Sequence, residues 1–310
     1  MSGVKETDLN KFPSDLSHPE AGTSFLPPAT RPTSDIRKPA NEVMQRAMSS
    51  AKNEERHIFD NSIVFIVVKD HILTSTCRHA DGVECQLCLY EKELKLPHLP
   101  EMIFPNNTLT ILLKSHPNEF FIQFNTFDAL KRVNATAAPD VQVGPSAVWK
   151  EARKDAHIKE SEHPYDWTYT SDYDGTLGPY VQVEPTEERI DLEKLKRKDP
   201  IHFYAQLSLY EDELHDHGIA EMTIRVRVMP TCFFVLCRFY LRIDHVMVRV
   251  CDTRLFGEIG QDYVLREWSL REAKYAELSP QDLENVLDPN VIWQALPLLT
   301  VKSTKLYPSK

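Results

Sequence analysis

The chain has 310 residues, 42% of them apolar and 26% charged, an ordinary composition for a soluble globular protein. Its 36 basic and 46 acidic side chains give a formal charge of −10, which argues against nucleic-acid binding through a basic surface. Nine glycines are few, about 3% against an ordinary ~7%, and the absence of any dinucleotide fingerprint or P-loop spacing excludes phosphate-loop enzymes.

Residues 1–55 read as a disordered extension: Pro13, Pro19, Pro27, Pro28, Pro32 and Pro39 lie among Ser, Thr and charged residues. A short helix is expected over 40–51. Globular structure is expected over 56–305, opening with a strand at 62–69. A short amphipathic helix over 85–96 is stopped by Pro97, and strands 109–113 and 120–124 flank a turn at 116–119. Helices are expected over 127–134 and 146–157, followed by an irregular aromatic and acidic stretch, 163–185.

Helices over 190–197 and 201–215 follow, the second read from Pro200 at its first turn. Strands are then predicted over 222–229, 233–243, 246–250 and 263–269, with Asp244-His245 turning the middle pair and a last helix over 282–287. Strands and helices do not alternate, so the expected fold is α+β, a single domain with mainly antiparallel β-sheets flanked by helices. The longest apolar runs are six residues, far below the roughly 18–20 that span a bilayer. With no secretory signal and six scattered cysteines, a cytoplasmic protein is expected, with the nucleus also open to it.

Three motifs suggest chemistry, each with a plainer reading. Asp172-Tyr173-Asp174-Gly175-Thr176-Leu177 matches the opening of haloacid-dehalogenase-type phosphatases, in which Asp172 would be the nucleophile, Asp174 the acid/base, and both would help hold Mg²⁺. That chemistry needs a buried parallel strand just upstream, but the upstream residues are polar and aromatic, which favours a turn. Cys77, His79, Cys85 and Cys88 have partial zinc spacing, yet Cys85 and Cys88 also suit the apolar face of a helix. His215-Asp216-His217 could ligate a metal, or could close a helix ahead of Gly218. No catalytic residue, metal or cofactor is assigned from these.

The arginines are more informative. Residues 199–273 lack lysine but contain Arg225, Arg227, Arg238, Arg242, Arg249, Arg254, Arg266 and Arg271. Arginine in strands suits planar, bidentate contacts with carboxylates. Residues 151–217 contain 17 acids and 8 bases, whereas 221–254 contain 3 acids and 6 bases. The two segments either pair within the molecule or leave a docking surface for a protein partner or an acidic tail. Arg225, Arg227, Arg238 and Arg242 are its candidate contacts.

Several long motifs carry a resemblance. They include Leu99-Pro100-Glu101-Met102-Ile103-Phe104, Phe127-Asp128-Ala129-Leu130, Pro164-Tyr165-Asp166-Trp167, Glu211-Asp212-Glu213-Leu214, and Arg238-Phe239-Tyr240-Leu241-Arg242 through to Asp252-Thr253-Arg254-Leu255. In order and spacing, from about 57 to 300, the chain resembles the TIPRL family, the TOR-signalling-pathway regulator-like proteins. The resemblance implies a non-enzymatic regulator that binds the catalytic subunits of type 2A, 4 and 6 serine/threonine phosphatases and acts with the alpha-four (Tap-type) subunit. It further implies that partner binding uses Asp128, Ile190 and Asp252. Val250 stands where the family commonly has methionine.

Overall fold

Alternating burial organises the long strands of the chain. In the computed structural model, which describes residues 53–73, 85–96, 99–114, 120–133, 140–143, 161–164, 171–214 and 218–308, every strand pairing is antiparallel. These residues belong to one compact unit, Ser50–Lys310. The expected α+β class with mainly antiparallel sheets is what is seen. No helix among the described residues is long and apolar enough to cross a membrane.

Five strands make the smaller sheet: β1 (Glu54–Phe59), β2 (Ile63–Val68), β4 (Thr108–Leu113), β5 (Phe121–Asn125) and β8 (Thr176–Leu177), in the order β1-β2-β4-β5-β8. Asp60 and Asn61 turn β1 into β2 with positive φ, the conformation that the tight hairpin turn demands. Helix α1 (Gln86–Leu94) and helix α2 (Thr126–Lys131) flank this sheet, their rings meeting at Tyr90 and Phe127, 5.1 Å apart. A separate two-stranded ribbon joins β6 (Asp140–Val143) to β7 (Ser161–Pro164).

The larger sheet has eight strands. Its centre is a meander of long neighbours: β10 (Phe203–Asp212), β11 (Gly218–Val228), β12 (Cys232–Ile243), β13 (Met247–Glu258) and β14 (Val264–Lys274). The two-residue β3 (Met102–Ile103) flanks β10, while β15 (Leu298–Pro308) and then β9 (Val181–Pro185) complete the other side. In β12 the odd residues Phe233, Val235, Cys237, Phe239, Leu241 and Ile243 face the smaller sheet and are buried. Phe233 meets Phe59 and Phe65 across the layers at 5.5 and 5.0 Å, edge to face, as aromatic quadrupoles prefer. Between the sheets lies one continuous apolar core.

The opposite face of the large sheet, its outer face, is partly roofed by short helices. Helix α4 (Pro280–Glu284) leads to helix α5 (Pro289–Ala295), and Val286, Ile292 and Leu296 cover the end of the sheet at Tyr240, Val248, Val250 and Ala273. Both helices start with an N-cap and a proline, Ser279-Pro280 and Asp288-Pro289. Helix α3 (Leu192–Leu195), capped by Asp191, stands at the other end, where Ile190 packs on Met229, Cys232, Phe256 and Leu265.

One element differs in kind from the sequence expectation. Residues 201–215, expected as a helix, form strand β10 up to Asp212. Ala205 and Leu207 are buried, whereas Tyr204 and Gln206 face out, a two-residue period that outweighs Pro200 as a helix-start signal. Gly218 is therefore not a helix stop but the first residue of β11. At φ +147°, an added Cβ there would meet the Arg242 carbonyl oxygen at 1.9 Å. The strands β1, β3, β6, β7, β8, β9 and β15 and the helix α5 had no counterpart in the sequence reading, β8 and β9 forming within the stretch 163–185 expected to be irregular, and β13 runs eight residues beyond its expected end. The expected helices at 40–51 and 146–157, the turn at 116–119, and Cys77, His79, His215, Asp216 and His217 lie outside the described residues. So does the 1–55 extension, apart from its last three residues.

Candidate functional site

The register of β12, β13 and β14 places ionic side chains in a row across the outer face. Arg238 pairs with Asp252, Arg254 with Glu267, and Asp252 with Ser269, so successive strands present opposite charges side by side. Arg238 grips Asp252 bidentately, Nε to Oδ1 at 2.7 Å and Nη2 to Oδ2 at 2.8 Å. Arg254 Nη2 donates to the same Oδ2 at 2.8 Å and its Nη1 to Glu267 Oε1 at 3.3 Å. Arg189 closes the row on Glu267 Oε2 at 2.6 Å. Asp252 is 1% exposed. Burial alone would raise its carboxyl, but Arg238 and Arg254 hold it below the ordinary aspartate range.

Helix α5 is fastened onto this row. Arg238 Nη1 donates to the Pro289 carbonyl at 2.6 Å, Arg225 Nη1 to Asn290 Oδ1 at 2.7 Å, and Arg271 Nη1 to the Leu296 carbonyl at 2.6 Å. Tyr240 donates its hydroxyl to the Val286 carbonyl just before the helix. The half-buried Trp293 ring lies among Arg254, Arg271 and Arg238, at 4.9, 5.0 and 5.6 Å from its centroid. Three arginines against two carboxylates leave the Arg189-to-Arg238 row positive, and Arg271 adds another charge beside it.

The sequence candidates fall into separate settings. Ile190, Val250 and Asp252 share the outer face, but all three are buried: Ile190 beside α3, Val250 beneath α5, Asp252 between its arginines. Asp128 lies elsewhere, in the first turn of α2, where it accepts from Asn125 Nδ2 at 2.8 Å and Thr176 Oγ1 at 2.7 Å and ties the helix to β8. Arg238 has each of its donor nitrogens engaged, and Arg242 is held by Asp244 at 2.7 Å near the β12–β13 turn. Arg225 retains a buried Nε with no hydrogen-bond partner among the described residues. Arg227, on the same face of β11, has no hydrogen-bond or ion-pair partner among the described residues.

Sequence reasoning missed Trp293, Glu267, Arg189 and Asn290. Glu267 and Arg271 were legible as one face of an alternating strand, and Asp288-Pro289 marks a helix start that would have brought in Asn290 and Trp293.

Asp172 and Asp174 do not form the paired carboxylates of a phosphatase loop. The motif leads into the short antiparallel strand β8, with no parallel strand before it among the described residues. Asp172 is held bidentately by Arg132 at 3.0 and 2.8 Å, and Asp174 pairs with Arg266 at 2.8 Å. Burial pushes the Asp174 carboxyl up against the opposing pull of Arg266 and Arg132. Gly175, at φ +96°, supplies the turn. Cys85 and Cys88 are half-buried at the start of α1, and no group of three His, Cys, Asp or Glu suited to a metal occurs among the described residues.

Comparison with known proteins gives a consistent picture. The model of the TIP41-like family matches residues 102–279. A TIP41-like protein of Caenorhabditis elegans is 49% identical over 269 residues, covering 85% of this chain and 94% of its own length. The human TIP41-like protein is 44% identical over 218 residues, covering 69% of this chain and 79% of that protein. The type 2A phosphatase activator TIP41 of Saccharomyces cerevisiae is 35% identical over 223 residues, 66% of this chain and 62% of its own.

Proposed function

Because this chain belongs to the TIP41-like family, we propose that it is a regulatory protein that binds type 2A-class serine/threonine phosphatase catalytic subunits and has no catalysis of its own. The observation that carries this reading is the family membership over most of the chain, together with a relative named as an activator of type 2A phosphatase. The arginine row suits it physically. Its guanidinium groups are engaged in holding Asp252, Glu267 and α5, leaving a rigid and net positive surface around Trp293. Aromatic and arginine anchors in a rigid frame are the chemistry of an interface hot spot.

In this reading the partners are the type 2A, 4 and 6 catalytic subunits and the alpha-four subunit, in TOR-linked signalling. Ile190, Val250 and Asp252 support the contact surface from beneath, while Asp128 fixes α2. Arg225 and Arg227, the outward-facing arginines of β11, contact an acidic tail; Arg238 and Arg242 set the shape of that face.

Co-purification with a type 2A catalytic subunit tests the reading, comparing wild type with the double variant Asp128→Leu, Asp252→Asn. Loss of capture by a variant that still melts cooperatively supports the assignment. Undiminished capture by that variant removes the assignment of these residues, and no capture by wild type removes the function.

A further inference from the structure

We propose that the edge of β10 at Phe203–Leu207 is a docking site for an extended acidic segment of a partner protein, which adds to the large sheet as a further strand. This deepens the regulator reading and rests on it, and it is argued from the strand edge beside Arg225 and Arg227.

The edge is open. On the side of β10 away from β11, β3 pairs only with Tyr210 and Glu211. Two more contacts continue the cover, Phe104 N to the Leu209 carbonyl at 2.9 Å and Asn107 Nδ2 to the Ser208 carbonyl at 2.7 Å. Beyond Ser208 no strand among the described residues lies against β10 on that side.

The edge is also unprotected. Exposed sheet edges are ordinarily blunted by charge, proline or a bulge, because their free amides and carbonyls pair with any passing strand. At the opposite end of the same sheet, β9 carries Glu184 and Pro185. In the smaller sheet, β1 begins Glu54-Glu55-Arg56. The stretch Phe203-Tyr204-Ala205-Gln206-Leu207 contains no charge and no proline, and the β10 bulge falls after it, between Ser208 and Tyr210. Tyr204 and the preceding Ile201 are each 53% exposed, large apolar groups on a surface strand.

Charge selects the occupant. Tyr204 lies opposite Arg227, and Gln206 opposite Arg225, on the outer face. The exposed run Lys196-Arg197-Lys198 enters β10 from just upstream. Lys196 is engaged with Glu193, and Arg197 with the Lys194 carbonyl, but Lys198 and Arg227 have no partner among the described residues. From the smaller sheet, the His57 ring of β1 stacks on Phe203 at 5.3 Å, and Asp199 is the one acid between the basic run and β10. An added strand would pair by its main chain and place alternate side chains over Tyr204 and towards Arg227. Carboxylates or aromatics fit there, and lysines do not.

The probe is a synthetic ten-residue peptide alternating Glu and Val, with a Lys/Val counterpart and two forms of the acidic peptide N-methylated on one or the other set of alternate residues. Wild-type protein is expected to bind the acidic peptide and not the lysine one. One N-methylated set should lose about tenfold or more in affinity and the other little, because only one side of the peptide faces β10. Hydrogen exchange at 203–207 should slow on binding, and Arg227→Glu, a surface change checked by circular dichroism, should weaken binding about tenfold.

Equal binding of both N-methylated forms, or no binding of the acidic peptide, overturns the proposal. Capture of a type 2A catalytic subunit is measured in parallel. Wild type that captures the subunit but ignores the peptide overturns the edge site alone. Peptide binding that shows the N-methyl asymmetry without subunit capture supports the edge site and removes the phosphatase reading instead.

Discussion

Asp252 shows how one buried carboxylate can organise a surface. With Arg238 and Arg254 both donating to it, replacing it with Asn leaves two buried guanidinium groups short of a counter-charge. Asp252→Asn is expected to cost about 3–5 kcal/mol in urea unfolding, the range for breaking a buried ion pair. By contrast Asp172→Asn, at an exposed pair with Arg132, should cost less than about 1 kcal/mol. The pH dependence follows from the depressed Asp252 carboxyl. Its stabilisation is complete above the ordinary aspartate range and is lost as pH falls through the lower folded value. The acid limb of the wild-type stability profile should therefore be shallower in Asp252→Asn. A phosphate-release assay on generic phosphomonoesters should show no activity that Asp172→Asn removes.

At the scale of elements, α5 is a short helix kept in place by contacts from the sheet below. It has seven residues, too few to persist alone. Trp293→Ala removes the ring that lies among three arginines and should raise amide exchange across 289–296 while β12 and β13 stay protected. Gly218→Ala should be harsher, about 2–3 kcal/mol in denaturant unfolding, because its Cβ would collide with main chain rather than with a movable side chain. The central strands were legible in sequence because Ile224, Val226 and Val228 alternate with Arg225 and Arg227. β10 was misread although Tyr204-Ala205-Gln206-Leu207 alternates just as clearly, since Pro200 suggested a helix start. β3, with two residues, and β15, an exposed strand without a clean apolar face, carry too little local signal. Their place is fixed by partners distant in sequence.

Across the whole molecule the −10 charge misleads unless it is divided. The large sheet's outer face is positive despite the acidic total, and the arginines that make it so are partly consumed within the molecule. Sequence alone located the arginine-bearing strands. It did not separate Arg238, which holds α5, from Arg227, which has no partner among the described residues, because that distinction depends on a helix arriving from residue 289 onward. The central claim is that this outer face receives a phosphatase catalytic subunit. The most direct measurement is amide hydrogen exchange of the full chain with and without a purified type 2A catalytic subunit. Slowed exchange in β11, in β13 around Asp252 and in α5, with β2 and β4 unchanged, is the predicted result. No change on the outer face, or protection confined to the smaller sheet, would contradict it.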